Sequence, residues 1–256
     1  MKVSNSQIGC FKACRRMYEL KYIHGLEPVD QPETISRGLS YHAAIERLVK
    51  GEPLDSELDP KVRAMIKVFQ NRFNLDFEEV EKWFEYQTAS GHTVIGRVDG
   101  VTERGEVVEH KTTSSLIDGS YFQRLETDEQ IPTYMLGMDI DTIYYTVCAA
   151  PSIRQKKGET EEEFIERCVA WYDDESSGKK FDVVELKRSL DDLREFAEEQ
   201  DAVIKEMATC KLFYRNPSHC YKWGRLCEYA PICKHYDPTM EYIEYKRRER
   251  DEDRKA

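Results

Sequence analysis

The stretch from Gly96 to Thr113 constrains this chain more than any other. Two runs, Gly96-Arg97-Val98-Asp99-Gly100 and Val107-Val108-Glu109-His110-Lys111-Thr112-Thr113, flank a short polar turn, which predicts two strands joined by a tight hairpin. Residues two apart in a strand share a face, so Glu109 and Lys111 point one way and Val108 and His110 the other. An acid-x-Lys pair facing Asp99 has two readings. It is a cross-strand salt bridge on an ordinary hairpin, or a divalent-cation site with a lysine beside it.

Helical patterns precede the hairpin. Ser4 and Gln7 have capping-box spacing, and Ile8, Phe11, Cys14, Tyr18 and Tyr22 follow at helical intervals up to Gly25. A second helix is expected from about Ser36 to Lys50, with His42 and Glu46 one turn apart. A third runs from Pro60 to Leu75, burying Val62, Met65, Ile66, Val68, Phe69 and Phe73. Strands are expected at Lys82–Thr88, His92–Val101 and Glu106–Thr112, followed by a polar loop. A helix at Asp128–Gly137 carries Gln130 and Tyr134 at i and i+4. Asp141–Ala150 reads as a buried strand, Thr160–Tyr172 as a helix and Lys180–Lys187 as an outer strand. The longest helix, Leu190–Thr209, has Leu190, Leu193, Phe196, Ala197 and Ile204 as its apolar positions. This order predicts an α/β (α+β) fold, a mixed central sheet flanked by helices.

The 256 residues are enough for one domain with an appended lobe. No apolar run approaches the ~20 residues that span a bilayer. The first residues lack the apolar core of a signal peptide, so a cytoplasmic location and no membrane partner are expected. A net charge of −11 argues against coating nucleic acid through the overall field. The charge is uneven, however. Residues 1–50 hold eight Lys/Arg against five Asp/Glu, and residues 210–236 hold five Lys/Arg against one Glu. These two basic segments are compatible with a restricted polyanion-binding surface. Residues 241–256, with six basic and six acidic side chains, read as a frayed charged helix or a disordered tail.

Eight cysteines in a reducing compartment do not suggest a disulfide framework. Cys10 and Cys14 lie near the start, and Cys210, Cys220, Cys227 and Cys233 near the end. Clusters at both ends point to metal ligation. Cys220-x6-Cys227-x5-Cys233 is not the paired CxxC of a zinc ribbon.

In chain order the chemistry-bearing residues are Cys14-Arg15-Arg16, Gly38-x3-His42, Gly96-Arg97-x-Asp99-Gly100, Glu109-x-Lys111, Gln130-x3-Tyr134 and the terminal cysteine trio. Across nearly the whole chain this resembles the RecB-like branch of the PD-(D/E)XK nuclease superfamily. That branch includes AddB-type nucleases, CRISPR-adaptation exonucleases with an iron–sulfur cluster and small stand-alone phage nucleases.

The resemblance implies a restriction-endonuclease-like core and one nuclease domain over residues 1–256. Its parts would be an N-terminal helical region at 1–78, a catalytic core at 79–210, a cysteine-rich lobe at 211–240 closed onto the N-terminal helix, and a charged tail at 241–256. It implies Mg²⁺ or Mn²⁺ held by Asp99, Glu109, the His110 carbonyl and His42, the imidazole favouring Mn²⁺. Lys111 would orient or help deprotonate the attacking water and stabilise developing charge. Gln130 and Tyr134 would border the site and position the scissile strand. Arg97 has two readings, a phosphate contact or a pair with an acidic neighbour. Glu46 is either an outer partner of the metal site or an exposed helix side chain.

For the cysteines, the resemblance implies a [4Fe-4S] cluster on Cys14, Cys220, Cys227 and Cys233. The family's trio is Cys-x2-Cys-x5-Cys; here position 224 is Gly, so the middle spacing is longer, while the final x5 interval is kept and Cys220 can supply the missing ligand. Cys10 or Cys210 could therefore substitute, and Zn²⁺ is the alternative metal. The implied activity is an exonuclease on single-stranded DNA or DNA ends, in recombination and repair, phage DNA processing or CRISPR adaptation. No GxxxxGK[ST] loop occurs in the sequence, so unwinding would come from a helicase or another partner of those systems. Oligomeric state and cleavage polarity stay open. Two other classes compete, a non-catalytic nucleic-acid-binding subunit with a nuclease fold and a zinc-binding regulatory protein. Intact Asp99, Glu109, Lys111 and His42 disfavour the first, and the second leaves the hairpin unexplained.

Overall fold

The computed structural model describes residues 1–29, 33–73, 76–115, 117–176, 178–222, 224–234 and 245–247. The chain forms two compact units. One comprises Met1–Gln31, Tyr86–Ile95 and Arg194–Ala256, the other Pro32–Glu85 and Gly96–Leu193.

In the N-terminal segment, β1 (Lys2–Ser4) leads into α1 (Asn5–Ala13), and the expected capping box forms, Ser4 accepting from the Gln7 amide and Gln7 from the Ser4 amide. The single helix expected up to Gly25 is broken. Cys14 has an extended backbone (φ −162°, ψ 113°), and α2 (Arg15–Tyr18) and a π-helical turn (Glu19–Ile23) follow it. The break swings the Cys14 side chain off the helix repeat, so Cys10 and Cys14 do not stack as successive turns of one helix. Gly25, at φ 65°, ends the run before β2 (Leu26–Pro28).

The larger unit begins with α3 (Glu33–Val49) and α4 (Pro60–Arg72), then β3 (Phe77–Gln87), whose last residues enter the other unit. All six expected apolar residues of the third helix are buried, although Phe73 lies just past the end of α4. β4 (Thr93–Thr102) and β5 (Val107–Thr113) are the expected hairpin. The polar loop after it contains a helix that the sequence reading missed, α5 (Gly119–Leu125), capped by Asp118 accepting from the Tyr121 amide. Next come α6 (Gln130–Met138), β6 (Thr142–Ala149), α7 (Glu161–Trp171), β7 (Phe181–Lys187) and α8 (Leu190–Thr209).

The strands of this unit form a mixed sheet. β4 and β5 are antiparallel, β5 and β6 parallel, β6 and β7 antiparallel, and β3 pairs with β4. The parallel step needs a crossover, which α5 and α6 supply. Val108 and Cys148 pack with Tyr41, Ala44 and Ile45 of α3 and with Val62, Met65, Ile66 and Phe69 of α4. The Glu109 and Lys111 face turns to α6. A Cβ on Gly96 of β4 would lie 2.3 Å from the Phe84 ring, and one on Gly137 of α6 would lie 2.1 Å from it. Phe84 therefore fits because both neighbours are glycines, and its ring meets Tyr134 edge-on at 5.6 Å between centroids.

In the smaller unit, β1 lies parallel to the first residues of β4, Lys2 opposite Thr93. Ile204 and Met207 of α8 pack with Ile8, Phe11, Tyr18 and Val94. Leu190 is not part of a buried stripe as expected, being 65% exposed, because the first turn of α8 precedes that core. Asp201 accepts from the Ser90 amide at 3.2 Å and pairs with Lys205 at 2.8 Å, fastening the β3–β4 turn to α8. The C-terminal part has β8 (Tyr221–Lys222), β9 (Arg225–Leu226), α9 (Ala230–Lys234) and β10 (Tyr245–Arg247), the last antiparallel to β2. Residues 245–247 are thus a strand rather than helix or disordered tail. Residues 241–244 and 248–256, and Leu75, lie outside the described residues. Among the described residues no helix is long and apolar enough to cross a membrane.

Two packing features give measurable outcomes. Gly137→Ala drives a methyl into the Phe84 ring and is expected to cost about 1–3 kcal/mol in urea unfolding, as overpacked cores do. Burial raises the Asp201 carboxyl, but Lys205 and the hydroxyls of Ser90 and Thr88 outweigh it and hold its pKa below the ordinary range. A depressed carboxylate stabilises the fold above its unfolded pKa, near 3.9, and that stabilisation is lost as pH falls. Asp201→Asn is therefore expected to cost about 1–3 kcal/mol at pH 7, with the gap to wild type closing as pH drops below about 4.

Candidate active site

The hairpin register sets Gly100 opposite Val108 and Val101 opposite Val107. Continued by one residue, it brings Asp99 opposite Glu109. The Asp99 carboxylate accepts from the His110 amide at 2.7 Å, and its other oxygen meets His42 Nδ1 at 3.1 Å. Glu109 is only 3% exposed, and its Oε1 pairs with Lys111 Nζ. Its Oε2 is buried with no hydrogen-bond partner. Lys111 also donates to Gln130 Oε1 at 2.8 Å, and Gln130 donates through Nε2 to the Tyr134 hydroxyl at 2.5 Å. The structure thus brings His42, Asp99, Glu109, Lys111, Gln130 and Tyr134 into one connected set.

Each side chain arrives on a defined element. Gly38 lets α3 approach β5 closely, since a Cβ there would lie 3.2 Å from Thr112 Oγ1, and His42 follows one turn later. Gln130 opens α6, where Asp128 accepts from the Gln130 amide at 2.8 Å. The sequence reading began this helix at Asp128; the helix starts at Gln130, with Asp128 accepting from the first amides as a start signal does. The His110 side chain points away from the carboxylates, as strand alternation predicts. Its Nδ1 meets Thr146 Oγ1 at 2.7 Å, and Phe69, Phe73 and Phe77 surround the ring edge-on. Burial pushes the His110 pKa down to about 4, so the ring is neutral.

The charges are strongly interdependent. Burial raises the Asp99 carboxyl, but the His42 hydrogen bond and the nearby positive groups outweigh it, leaving its pKa below the usual range. Glu109 goes the other way, raised well above the ordinary range by burial and then by the Asp99 charge, with Lys111 only partly offsetting. Burial works against the Lys111 ammonium, yet Glu109 and Asp99 prevail and its pKa rises. Two adjacent carboxylates, Glu109 buried with an orphaned oxygen and Asp99 with its side chain 14% exposed, fit a hard divalent cation, which favours oxygen donors.

One participant was missed. Glu81 brings a carboxylate oxygen into a group with His42 and Asp99 whose ligand atoms all lie within 4.8 Å of one another. The strand expected from Lys82 began after it, whereas β3 starts at Phe77, and Glu81 sits in the left-handed region (φ 56°) inside it, where it interrupts the alternation. Of the two readings for Arg97, the structure has the acidic pair, its Nε meeting Glu81 Oε2. Glu46, on α3, pairs with Lys50 just past the end of that helix at 2.6 Å.

In the smaller unit, Cys14, Cys220, Cys227 and Cys233 line one cavity of about 350 Å³ with Met17, Leu20, Asn216, Arg215 and His219 among its walls. Cys10 and Cys210 do not line it and instead pack beside the Ile8–Phe11 core. The long interval between Cys220 and Cys227 is taken up by the β8–β9 hairpin, with Gly224 at φ 73°, and the Cys227 amide donates to the Cys220 carbonyl at 2.8 Å. The Asn216 amide donates to Cys14 Sγ at 3.4 Å.

No curated relative matches the chain. Among solved structures it is similar to the protein SSO0001 (13% identity, TM-score 0.44, 83% of this chain and 79% of that one). It is also similar to an alkaline exonuclease from Laribacter hongkongensis (13%, 0.34, 70% and 82%) and a phage-related exonuclease from Haemophilus somnus 129PT (14%, 0.37, 81% and 96%). These TM-scores are low, and the family assignment rests on the sequence. The model of the PD-(D/E)XK nuclease superfamily matches residues 2–234, nearly the whole chain. The chain therefore belongs to the PD-(D/E)XK nuclease superfamily.

Proposed function

We propose that this nuclease is a divalent-metal-dependent exonuclease of the RecB-like branch, hydrolysing phosphodiester bonds of single-stranded DNA or DNA ends. The observation that carries the metal dependence is the partnerless Glu109 Oε2, buried against the Asp99 carboxylate. Asp99, Glu109, His42 and the His110 carbonyl would hold Mg²⁺ or Mn²⁺. When bound, such an ion supplies positive charge at the phosphoryl oxygens and acidifies the attacking water. Lys111, kept as an ammonium by its two carboxylate neighbours, orients the water and stabilises developing charge rather than accepting a proton. Gln130 fixes Lys111 and Tyr134, and the pair borders the DNA path.

The four cavity cysteines support a [4Fe-4S] cluster as the second cofactor. Thiolates in fours hold such clusters, and the cavity that these four cysteines line has a volume of about 350 Å³. The cluster would clip residues 14 and 220 together. By analogy with long disulfide loops, that closure contributes on the order of 4–5 kcal/mol. Arg15, Arg215, Lys222 and Arg225 belong to the same unit and supply phosphate-binding charge. The setting is the cytoplasm of a bacterial, archaeal or phage-infected cell, in DNA recombination and repair, phage DNA processing or CRISPR adaptation. A helicase or another partner of those systems would supply unwound ends.

End-labelled linear and closed-circular single strands, incubated with Mg²⁺, Mn²⁺ or chelator, test the activity. Linear DNA is expected to be degraded only with metal, and cutting of the circles refutes the exonuclease assignment. Lys111→Ala and Asp99→Asn are expected to lower the rate at least about 10²–10³-fold with an unchanged circular-dichroism spectrum. For the cluster, anaerobically purified protein should show broad visible absorbance and about four irons per chain. Cys227→Ala should lose both and bind DNA more weakly, whereas zinc alone in wild type would refute the cluster.

A further inference from the structure

Glu81 carries a consequence beyond the ligand set above. Three observations meet at it. Its carboxylate belongs to the 4.8 Å group with His42 and Asp99. The buried, partnerless Glu109 Oε2 belongs to a carboxylate close enough to Asp99, a member of that group, for the Asp99 charge to raise its pKa. Glu81 itself is 16% exposed and ion-paired with Arg97, whose side chain is 49% exposed and lies over the Trp83 ring, 5.6 Å from its centroid.

We propose that Glu81 is a further ligand of the divalent cation and that Arg97 competes with the cation for it, acting as a latch that a DNA phosphate opens. This rests on the metal-nuclease reading of the site. An arginine pair occupies the carboxylate and cancels its charge, so Glu81 attracts a cation weakly while Arg97 holds it. Guanidinium forks match phosphate oxygens as well as carboxylates, and the exposed side of Arg97 is open to such an exchange. A phosphodiester that takes Arg97 returns a full negative charge to Glu81 beside His42 and Asp99. Phosphate binding and cation binding then favour one another, by the reciprocity that any linked pair of ligands obeys. The left-handed backbone at Glu81 is the local means by which a strand residue turns toward this group.

The test is Mn²⁺ affinity without DNA, read by calorimetry and by the free-ion electron paramagnetic resonance signal. The proteins are wild type, Glu81→Gln, Arg97→Gln, the double variant and Asp99→Asn, each checked by thermal melting. Glu81→Gln is expected to weaken Mn²⁺ binding at least about tenfold. Arg97→Gln is expected to tighten it, and the double variant to resemble Glu81→Gln. Glu81→Asn, which tolerates a left-handed backbone, replaces the glutamine variant should that fold poorly. An unchanged affinity in Glu81→Gln together with a loss in Asp99→Asn overturns the Glu81 assignment alone. Equal weakening by Arg97→Gln and Glu81→Gln makes the pair structural and overturns the latch. Undiminished Mn²⁺ binding in Asp99→Asn overturns the metal-site reading beneath both.

Discussion

The structure of the larger unit turns on one unfavourable contact, the carboxylates of Asp99 and the buried Glu109 set side by side by the β4–β5 register. Two like charges in a low-dielectric interior cannot both ionise without compensation. The compensation comes from separate elements. The His110 amide and His42 serve Asp99, and Lys111 serves Glu109, itself held by Gln130 at the start of α6. Loss of any one leaves a buried charge or donor without a partner, which is the expensive outcome in a protein interior. The positions of α3 and α6 on the sheet are therefore tied to the electrostatics of two residues.

Much of this was legible because strand alternation and helix spacing are local rules. The hairpin, the face shared by Glu109 and Lys111, and the Gln130–Tyr134 turn follow from periods of 2 and 3.6. What escaped depended on backbone departures from those periods. Glu81 lies at a left-handed residue inside a strand, so alternation assigns it no reliable face. The break at Cys14 has the same character, since apolar spacing runs smoothly through it while the backbone turns extended. The α5 helix was hidden for a different reason, being only seven residues long, with too few turns to show a period. Leu190 fits the helical repeat of α8 but precedes the part of that helix with a core beneath it.

The cysteine spacing makes a related point about what a motif encodes. Counted along the chain, Cys220-x6-Cys227 departs from the Cys-x2-Cys spacing expected from the sequence resemblance. In space the departure is absorbed by a two-stranded hairpin that returns the Cys227 amide to the Cys220 carbonyl, so both side chains still line the cavity with Cys14 and Cys233. Ligand sets are defined by where sulfur atoms converge. A closed hairpin adds residues without moving its two ends apart, which is why this interval can grow while the cavity keeps its four cysteines. The same geometry explains why Cys10, four residues before Cys14, is left in the apolar packing once the helix breaks.

Rigidity is distributed unevenly around the carboxylates. Phe84 is wedged against Gly96 and Gly137 and braces Tyr134, while three phenylalanine edges and Thr146 fix His110, whose amide holds Asp99. These supports come from strands and helices packed at core density, which favour a single geometry. Arg97 differs from them. It stands half in solvent on a long side chain, paired to the one carboxylate that a left-handed residue carries into the group. A site whose acids are locked by packing can change its charge cheaply only through a partner of that kind. The adjustable part of this centre is thus a guanidinium, the group best matched to the phosphates of the substrate proposed for it.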